Sequence, residues 1–268
     1  MNSLLIRGGG DLATGVAVRL HRSGFHVLIA ELPRPLAVRR AVSFSEAVYE
    51  KKWKVENITA CLISGVDEIE AAFARNEIPV LVDPDLERLN ASRFPFSGII
   101  DARLTKKASP RINLESVPLT IGLGPGFTAG ENCHAVIETD RGHTLGRVYW
   151  TGSASADTGL PEGDPRRVLR APVDGLLTGY AAIGEHVAGG QLIAEVGGER
   201  VIAPFPGVLR GLIRPGVAIP QGMKIGDIDQ RDDPAYCYLV SDKALAVGGG
   251  VLEALLSRFA AHKTHTKN

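Results

Sequence analysis

The sequence predicts an α/β chain in two parts: a parallel, doubly wound sheet covered by helices, followed by a small all-β unit. Three observations carry that expectation. Short apolar runs alternate with amphipathic helical stretches through the first half, the pattern of a parallel sheet. The first of those runs, Leu4-Leu5-Ile6, opens directly into Gly8-Gly9-Gly10. A block of the second half then repeats itself at an offset of 32 residues, the mark of paired structural units.

Taken in order, Leu4-Leu5-Ile6 is a buried strand, and Gly8 to Gly15 lead into an apolar-periodic helix through Val16, Val18 and Leu20. A second strand, His26 to Ala30, ends at Glu31. The spacing Gly8-x-Gly10-x-x-Ala13 matches the dinucleotide fingerprint and predicts a Rossmann-like unit. Glycine lets the backbone approach a pyrophosphate, and the N–H groups of the helix start point at the anion. Glu31, 20 residues beyond Asp11, stands where an acid accepts hydrogen bonds from a ribose. Gly8, Gly9, Gly10, Asp11, Ala13, Thr14 and Glu31 are therefore candidate binding residues. The plainer reading is a tight turn and a solvated strand end. Arg34, Arg39 and Arg40 follow Glu31 and suit an additional phosphate, as in NADP. No G-x-x-x-x-G-K-[ST] occurs, which excludes a P-loop NTPase.

The alternation continues with strands at Ile58 to Ser64, Pro79 to Val82, Ser97 to Asp101 and Val117 to Leu123, and a helix from Asp67 to Arg75. Ligands of parallel sheets lie beyond the carboxyl ends of the strands, which brings in Asp101 and the loop after Leu123. That loop, Ile121 to Gly130, holds four glycines and a proline. Gly124 and Gly126 are expected to line an anion nest there; a hinge is the alternative. Strand alternation next places His134, Val136 and Glu138 on one face. The expectation is that His134 and Glu138, with His143 folding back, form the reactive wall of a cleft opposite Gly9 and Gly10. Cys133 is a thiolate candidate if its neighbours depress its pKa, against the simpler role of a small packed residue. The spacing fits no standard zinc pattern, so no metal is expected. Cations at Arg103, Lys106 and Lys107, and at Arg166, Arg167 and Arg170, are either phosphate contacts or solvated loops.

In the repeat, Ala171-Pro172 recurs as Ala203-Pro204, and Gly175, Gly179, Gly184 and Gly190 recur as Gly207, Gly211, Gly216 and Gly222. Val187, Ile193 and Val196 pair with Ile219, Ile225 and Ile228. Short strands separated by glycine turns and related by two-fold repetition predict a barrel-sandwich hybrid of the biotinyl/lipoyl type. The hairpin that would carry a modified lysine reads Val196-Gly197-Gly198-Glu199-Arg200-Val201, so neither biotin nor lipoate is expected; Lys224 lies later. The expected organisation is a Rossmann-like nucleotide-binding domain over 1–150, a linker over 151–167 and the hybrid over 168–230. A segment over 231–262 would return to the first domain, and 263–268 would be a disordered tail.

Thirty basic residues balance thirty acidic ones, so no overall field favours nucleic acid or an anionic membrane. No apolar run approaches the roughly 20 residues of a membrane span. Three separated cysteines without a C-x-x-C point to a reducing compartment, and the expected location is the cytoplasm.

IRGGGDLATGVA, IGLGPGFTAG, CHAVIETDRGHTLGRV, RVLRAPVDG, KIGDIDQR and SDKALAVGGGVLEALL occur in that order. Together they resemble the selenium-dependent molybdenum hydroxylase system protein family, YqeB type. Gln230 departs from the proline that the family more often has in its Asp-Pro-Arg turn. The resemblance implies an accessory or maturation role toward a molybdenum hydroxylase partner; the glycine turn is then expected to hold the nucleotide or molybdopterin-type phosphate part of a ligand. Two rivals stay open: an NAD(P)-dependent oxidoreductase, with a histidine as general acid, and a non-catalytic scaffold docking on the hydroxylase. The cofactor is thus left between NAD(P) and a molybdopterin nucleotide, and homo-oligomerisation is left open.

Overall fold

The structure is a computed structural model that describes residues 3–105, 117–157, 159 and 163–265. Lys106, Lys107 and the end of the expected tail, 266–268, lie outside the described residues. The chain begins β1 (Ser3–Arg7), α1 (Asp11–Arg22), β2 (His26–Glu31), α2 (Ala47–Glu50), β3 (Lys52–Val55) and β4 (Ile58–Ile63). It continues α3 (Ile69–Ala74), β5 (Ile78–Val82), α4 (Glu87–Ser92), β6 (Phe96–Asp101) and β7 (Thr120–Leu123). Then come β8 (Thr128–Ala129), β9 (Ala135–Ile137), β10 (Val148–Tyr149) and β11 (Gly152–Ser153). Nine of these strands form one sheet in the order β10-β9-β7-β6-β1-β2-β5-β4-β3.

Strand alternation divides the core of this sheet. Leu4 and Ile6 of β1 join one cluster with Val16 and Leu20 of α1, while Leu5 joins another with Ile69 and Phe73 of α3. The first face is also covered by α5 (Asp242–His265), whose Ala244, Val247, Val251 and Leu255 are buried against it. Glycine makes this contact possible: a Cβ on Gly15 would stand 2.5 Å from the Ala244 Cβ, and one on Gly250 would stand 2.1 Å from the Gly146 carbonyl oxygen.

The remaining strands are β12 (Val168–Arg170), β13 (Gly175–Gly179), β14 (His186–Val187) and β15 (Leu192–Val196), then β16 (Glu199–Ile202), β17 (Gly207–Leu212), β18 (Ala218–Ile219) and β19 (Lys224–Asp229). They form two four-stranded sheets, β12-β19-β17-β14 and β16-β15-β13-β18, whose named pairings are antiparallel. Each sheet draws strands from both halves of the 32-residue repeat. The repeated apolar pairs Val187 and Ile219, Ile193 and Ile225, and Val196 and Ile228 all lie in one shared core.

This architecture corrects the fold class expected from the sequence, a Rossmann-like parallel sheet plus a separate biotinyl/lipoyl-like barrel. The large sheet is mixed, because β3 and β10 run antiparallel at its two edges. Moreover β5 lies between β2 and β4, so the strands do not follow the simple outward succession of a doubly wound half. In place of an independent closed barrel there are two open four-stranded sheets tied into the first unit. Leu36 and Val38 pack on their core, Arg40 Nε donates to the Leu212 carbonyl at 3.0 Å, and Arg214 forms ion pairs with Glu46 and Glu50. Apolar runs mark where strands are. Their direction and order depend on pairings between distant segments, which local periodicity does not encode.

Candidate functional site

The carboxyl ends of β1, β2 and β6 converge on the glycine turn. Gly8 has φ +92°, the left-handed region that glycine occupies without cost, and its N–H donates to the Ala30 carbonyl at 2.8 Å. That bond turns the chain into α1. Gly10 is the N-cap of α1 and makes no side-chain cap bond; the Leu12 N–H donates to Asp11 Oδ1 at 3.0 Å, and a helix start carries further N–H groups without an intrahelical partner. A Cβ on Gly10 would meet nothing within 4 Å, whereas one on Gly9 would meet the Ser45 nitrogen at 3.0 Å and Glu31 Oε2 at 3.1 Å. Gly9 is thus needed for packing, and Gly10 faces open space.

Glu31 holds the other side of the turn. It is 7% exposed and accepts hydrogen bonds from the Gly9 N–H at 2.5 Å and the Leu32 N–H at 2.6 Å. Burial raises its pKa, and those two N–H groups only partly oppose the rise. Thr14 is fully buried: its hydroxyl donates to the Gly9 carbonyl and accepts from the Phe44 N–H, so it braces the turn from behind.

Two adjoining clefts open here. The first, about 450 Å³, is lined by Gly8, Gly9, Gly10, Ala13, Glu31 and Arg103, among others. The second, about 780 Å³, extends from Gly10 and Asp11 toward the antiparallel sheets and includes Arg39, Thr139, Arg210 and Lys224. Asp101 stands just behind the first. It is 1% exposed and paired with Arg103, at 2.6 Å, and with Arg7. It orients those cations and does not reach the cleft surface.

The residues expected to form a reactive wall are dispersed, which corrects the shared-cleft expectation. β9 runs parallel to β7, β7 to β6 and β6 to β1. His134, preceding β9, therefore lies at the amino edge of the sheet, and Glu138, following it, lies at the carboxyl edge. His134 Nδ1 accepts from the Thr120 N–H at 3.0 Å and contacts the Thr120 hydroxyl at 2.8 Å; burial and then Arg258 lower its pKa. Alternation groups residues by face but is silent about which end of a strand they occupy, and that is where the expectation failed. We expect His134→Ala to leave the affinity of any ligand held at the glycine turn, read by calorimetry, within twofold of the parent.

Glu138 is fully buried. Its carboxylate accepts from the N–H groups of Thr139, Asp140 and Ser155 and from the Ser155 hydroxyl, at 2.7 to 2.8 Å. Burial would raise its pKa, but these donors outweigh it and the net shift is downward. It clamps a loop. His143 is exposed and lines neither cleft. Cys133 is 0% exposed and burial raises its thiol to about 11, the opposite of a reactive thiolate. Cys61 and Cys237 are also buried with raised pKa values. Native protein at pH 7.5 should therefore resist iodoacetamide and become labelled only on unfolding, as intact mass will show.

Gly124 has φ +72°, and a Cβ there would stand 2.4 Å from Thr139 Oγ1, so it serves loop packing. Gly126, with φ +98°, lies in the same turn, whose neighbour Pro125 reaches the larger cleft. Sequence reasoning did not find Arg210, Lys224 or Thr139. They reach the cleft from segments far from the glycine turn, and no local motif marks them. Among the described residues, no group of three or more His, Cys, Asp or Glu side chains is placed to hold a metal, and no helix is long and apolar enough to cross a membrane.

No family model matches the chain. It is 44% identical over 257 residues to the uncharacterized protein YqeB of Escherichia coli, an alignment covering 94% of this chain. The chain spans about half, 47%, of the length of that curated relative. Solved structures align far more loosely. An aspartoacylase family protein from Mesorhizobium loti is 12% identical with a TM-score of 0.27, covering 85% of this chain and 84% of that one. A succinylglutamate desuccinylase from Silicibacter is 15% identical with a TM-score of 0.25, covering 85% and 84%. Likeness at that level carries no conclusion about chemistry. What stands is the close, half-length similarity to YqeB.

Proposed function

We propose that this protein binds a nucleotide-type, phosphate-bearing ligand at the Gly8–Gly10 turn and serves as an accessory protein in the maturation of selenium-dependent molybdenum hydroxylases. One observation supports the binding reading above the rest. The start of α1, capped by a glycine with open space beyond it, faces a cleft whose lining includes a buried carboxylate, Glu31, bonded to the Gly9 N–H. A helix start supplies unpaired N–H donors and a favourable dipole for phosphate, and a carboxylate at the end of the second strand suits ribose hydroxyls. The maturation role rests on the motif resemblance described above, and the ligand it favours is a molybdopterin-type nucleotide.

Hydride transfer finds less support, since His134 stands at the far edge of the sheet and His143 outside both clefts. Calorimetric titration of the purified chain with molybdopterin dinucleotides, NAD and NADP tests the reading. Saturable one-to-one binding is expected, tightest for the pterin nucleotide. Absence of binding to all of them overturns it.

A further inference from the structure

The larger cleft has an electrostatic character of its own. Seven cationic and four acidic side chains line it, in a chain with no net charge. Arg39 is the most deeply set of the cations, 7% exposed. Its Nη2 donates to the carbonyls of Tyr236 and Leu239 at 3.0 and 3.1 Å, and its Nη1 lies 3.6 Å from Asp11. Its Nε is buried without a hydrogen-bond partner. The same is true of Arg210 Nε, which lies 3.6 Å from Asp229. Buried guanidinium N–H groups are costly to leave unpaired, and the two arginines that carry them, from different segments, line one cavity. Lys224 adds a third cation, 3.7 Å from Asp227. Burial lowers its pKa, Asp227 opposes that shift, and Arg167 reinforces it. The protein holds these positive charges close together with incomplete compensation.

Position gives the arrangement its meaning. Gly10, Asp11 and Leu12 line both clefts, so the helix start is the junction between them. A phosphate at Gly10 would have the Glu31 cleft on one side and the arginine-lined cleft on the other. Resting on the nucleotide reading above, we propose that the cleft bordered by Arg39, Arg210 and Lys224 is a second anion subsite. The ligand is then a nucleotide whose phosphate chain continues into a far half that is itself anionic. A mononucleotide fills only the first cleft, and a dinucleotide with an uncharged or cationic far end leaves the arginines unanswered.

The test uses the intact chain with three probes: AMP, ATP and inorganic tripolyphosphate, titrated calorimetrically without metal. ATP should bind at least tenfold tighter than AMP, and tripolyphosphate should bind and compete with ATP. An Arg210→Gln, Lys224→Gln double variant should remove most of that tenfold gain and weaken tripolyphosphate at least tenfold, while AMP stays within twofold. A second variant, Arg170→Gln, changes a rim arginine bound to the Gly222 carbonyl and should lower ATP affinity less than the double variant. If AMP and ATP bind equally and neither variant alters them, the subsite is refuted while the nucleotide reading stands. If tripolyphosphate binds and the double variant abolishes it, but AMP and ATP do not bind, the nucleotide reading fails and the anion subsite survives without its nucleoside half. If no probe binds, both fail.

Discussion

Replacing Gly15 with valine is expected to cost about 3 kcal/mol of unfolding free energy, the upper range for overpacking a core. The Gly15 Cα faces α5 so closely that an added Cβ would meet the Ala244 Cβ at 2.5 Å and the Ala244 carbonyl carbon and oxygen at 2.7 Å. Two of those three atoms are backbone, so no rotamer change relieves the clash. The helices must part, and they cover the same core face with Val16, Leu20, Val247 and Val251. Gly249→Ala is the control. It lies in the partner helix α5, its added Cβ would touch nothing within 4 Å, and alanine should stabilise a helix interior by about 0.5 to 1 kcal/mol. Urea unfolding measures both. Equal midpoints for Gly15→Val and the parent would mean that α1 and α5 do not pack as described.

Glu138→Gln should cost about 3 kcal/mol, because a buried charged acceptor of several hydrogen bonds is replaced by a group that is half donor. Its amide nitrogen would face either the Thr139 and Asp140 N–H groups or the Ser155 N–H. The pH dependence has a defined sign. The folded-state pKa of Glu138 is depressed, so its contribution is complete above the unfolded value of about 4.3. It is lost as pH falls through the folded value. The stability gap between parent and Glu138→Gln should therefore be constant from pH 8 to 6 and narrow below about pH 4. A gap that widens on acidification would contradict the assignment of Glu138 as an ionised clamp.

The parts of this molecule that were legible in the sequence are those set by neighbours in the chain. Leu4-Leu5-Ile6 and His26 to Ala30 stand out as apolar runs, and Gly8 to Gly10 mark the turn because φ +92° at Gly8 requires glycine. The 32-residue repeat shows through the buried pairs Ile193 with Ile225 and Val196 with Ile228. The parts that were not legible are set by distant partners. Lys52 to Val55 pair antiparallel with β4, and Val148-Tyr149 with β9. Neither short strand announces its direction, and together they make a mixed sheet of what was expected to be parallel. The position of β5 between β2 and β4 is likewise a matter of crossovers. In the site, Glu31 could be placed because its distance from the glycine turn is short in sequence. Arg210 and Lys224 belong to β17 and β19 and reach the cleft only through the docking of the antiparallel sheets. His134 was misplaced because period-two alternation assigns a face and leaves the end of the strand unspecified.

If a ligand phosphate lies in the open space before Gly10, as proposed above, a side chain placed there must block it, and Gly10→Val supplies one. Gly10 has φ −66°, which valine adopts without strain, and an added Cβ would meet no protein atom within 4 Å. The variant should thus fold and unfold within about 1 kcal/mol of the parent, the scale of placing a poor residue at a helix N-cap. Its branched side chain would nevertheless occupy the approach to the helix N–H groups. The measurement pairs urea unfolding with calorimetric titration of ATP on the same preparation. The prediction is stability within about 1 kcal/mol of the parent's with at least a hundredfold loss of affinity. Stability and affinity both equal to the parent's would contradict it.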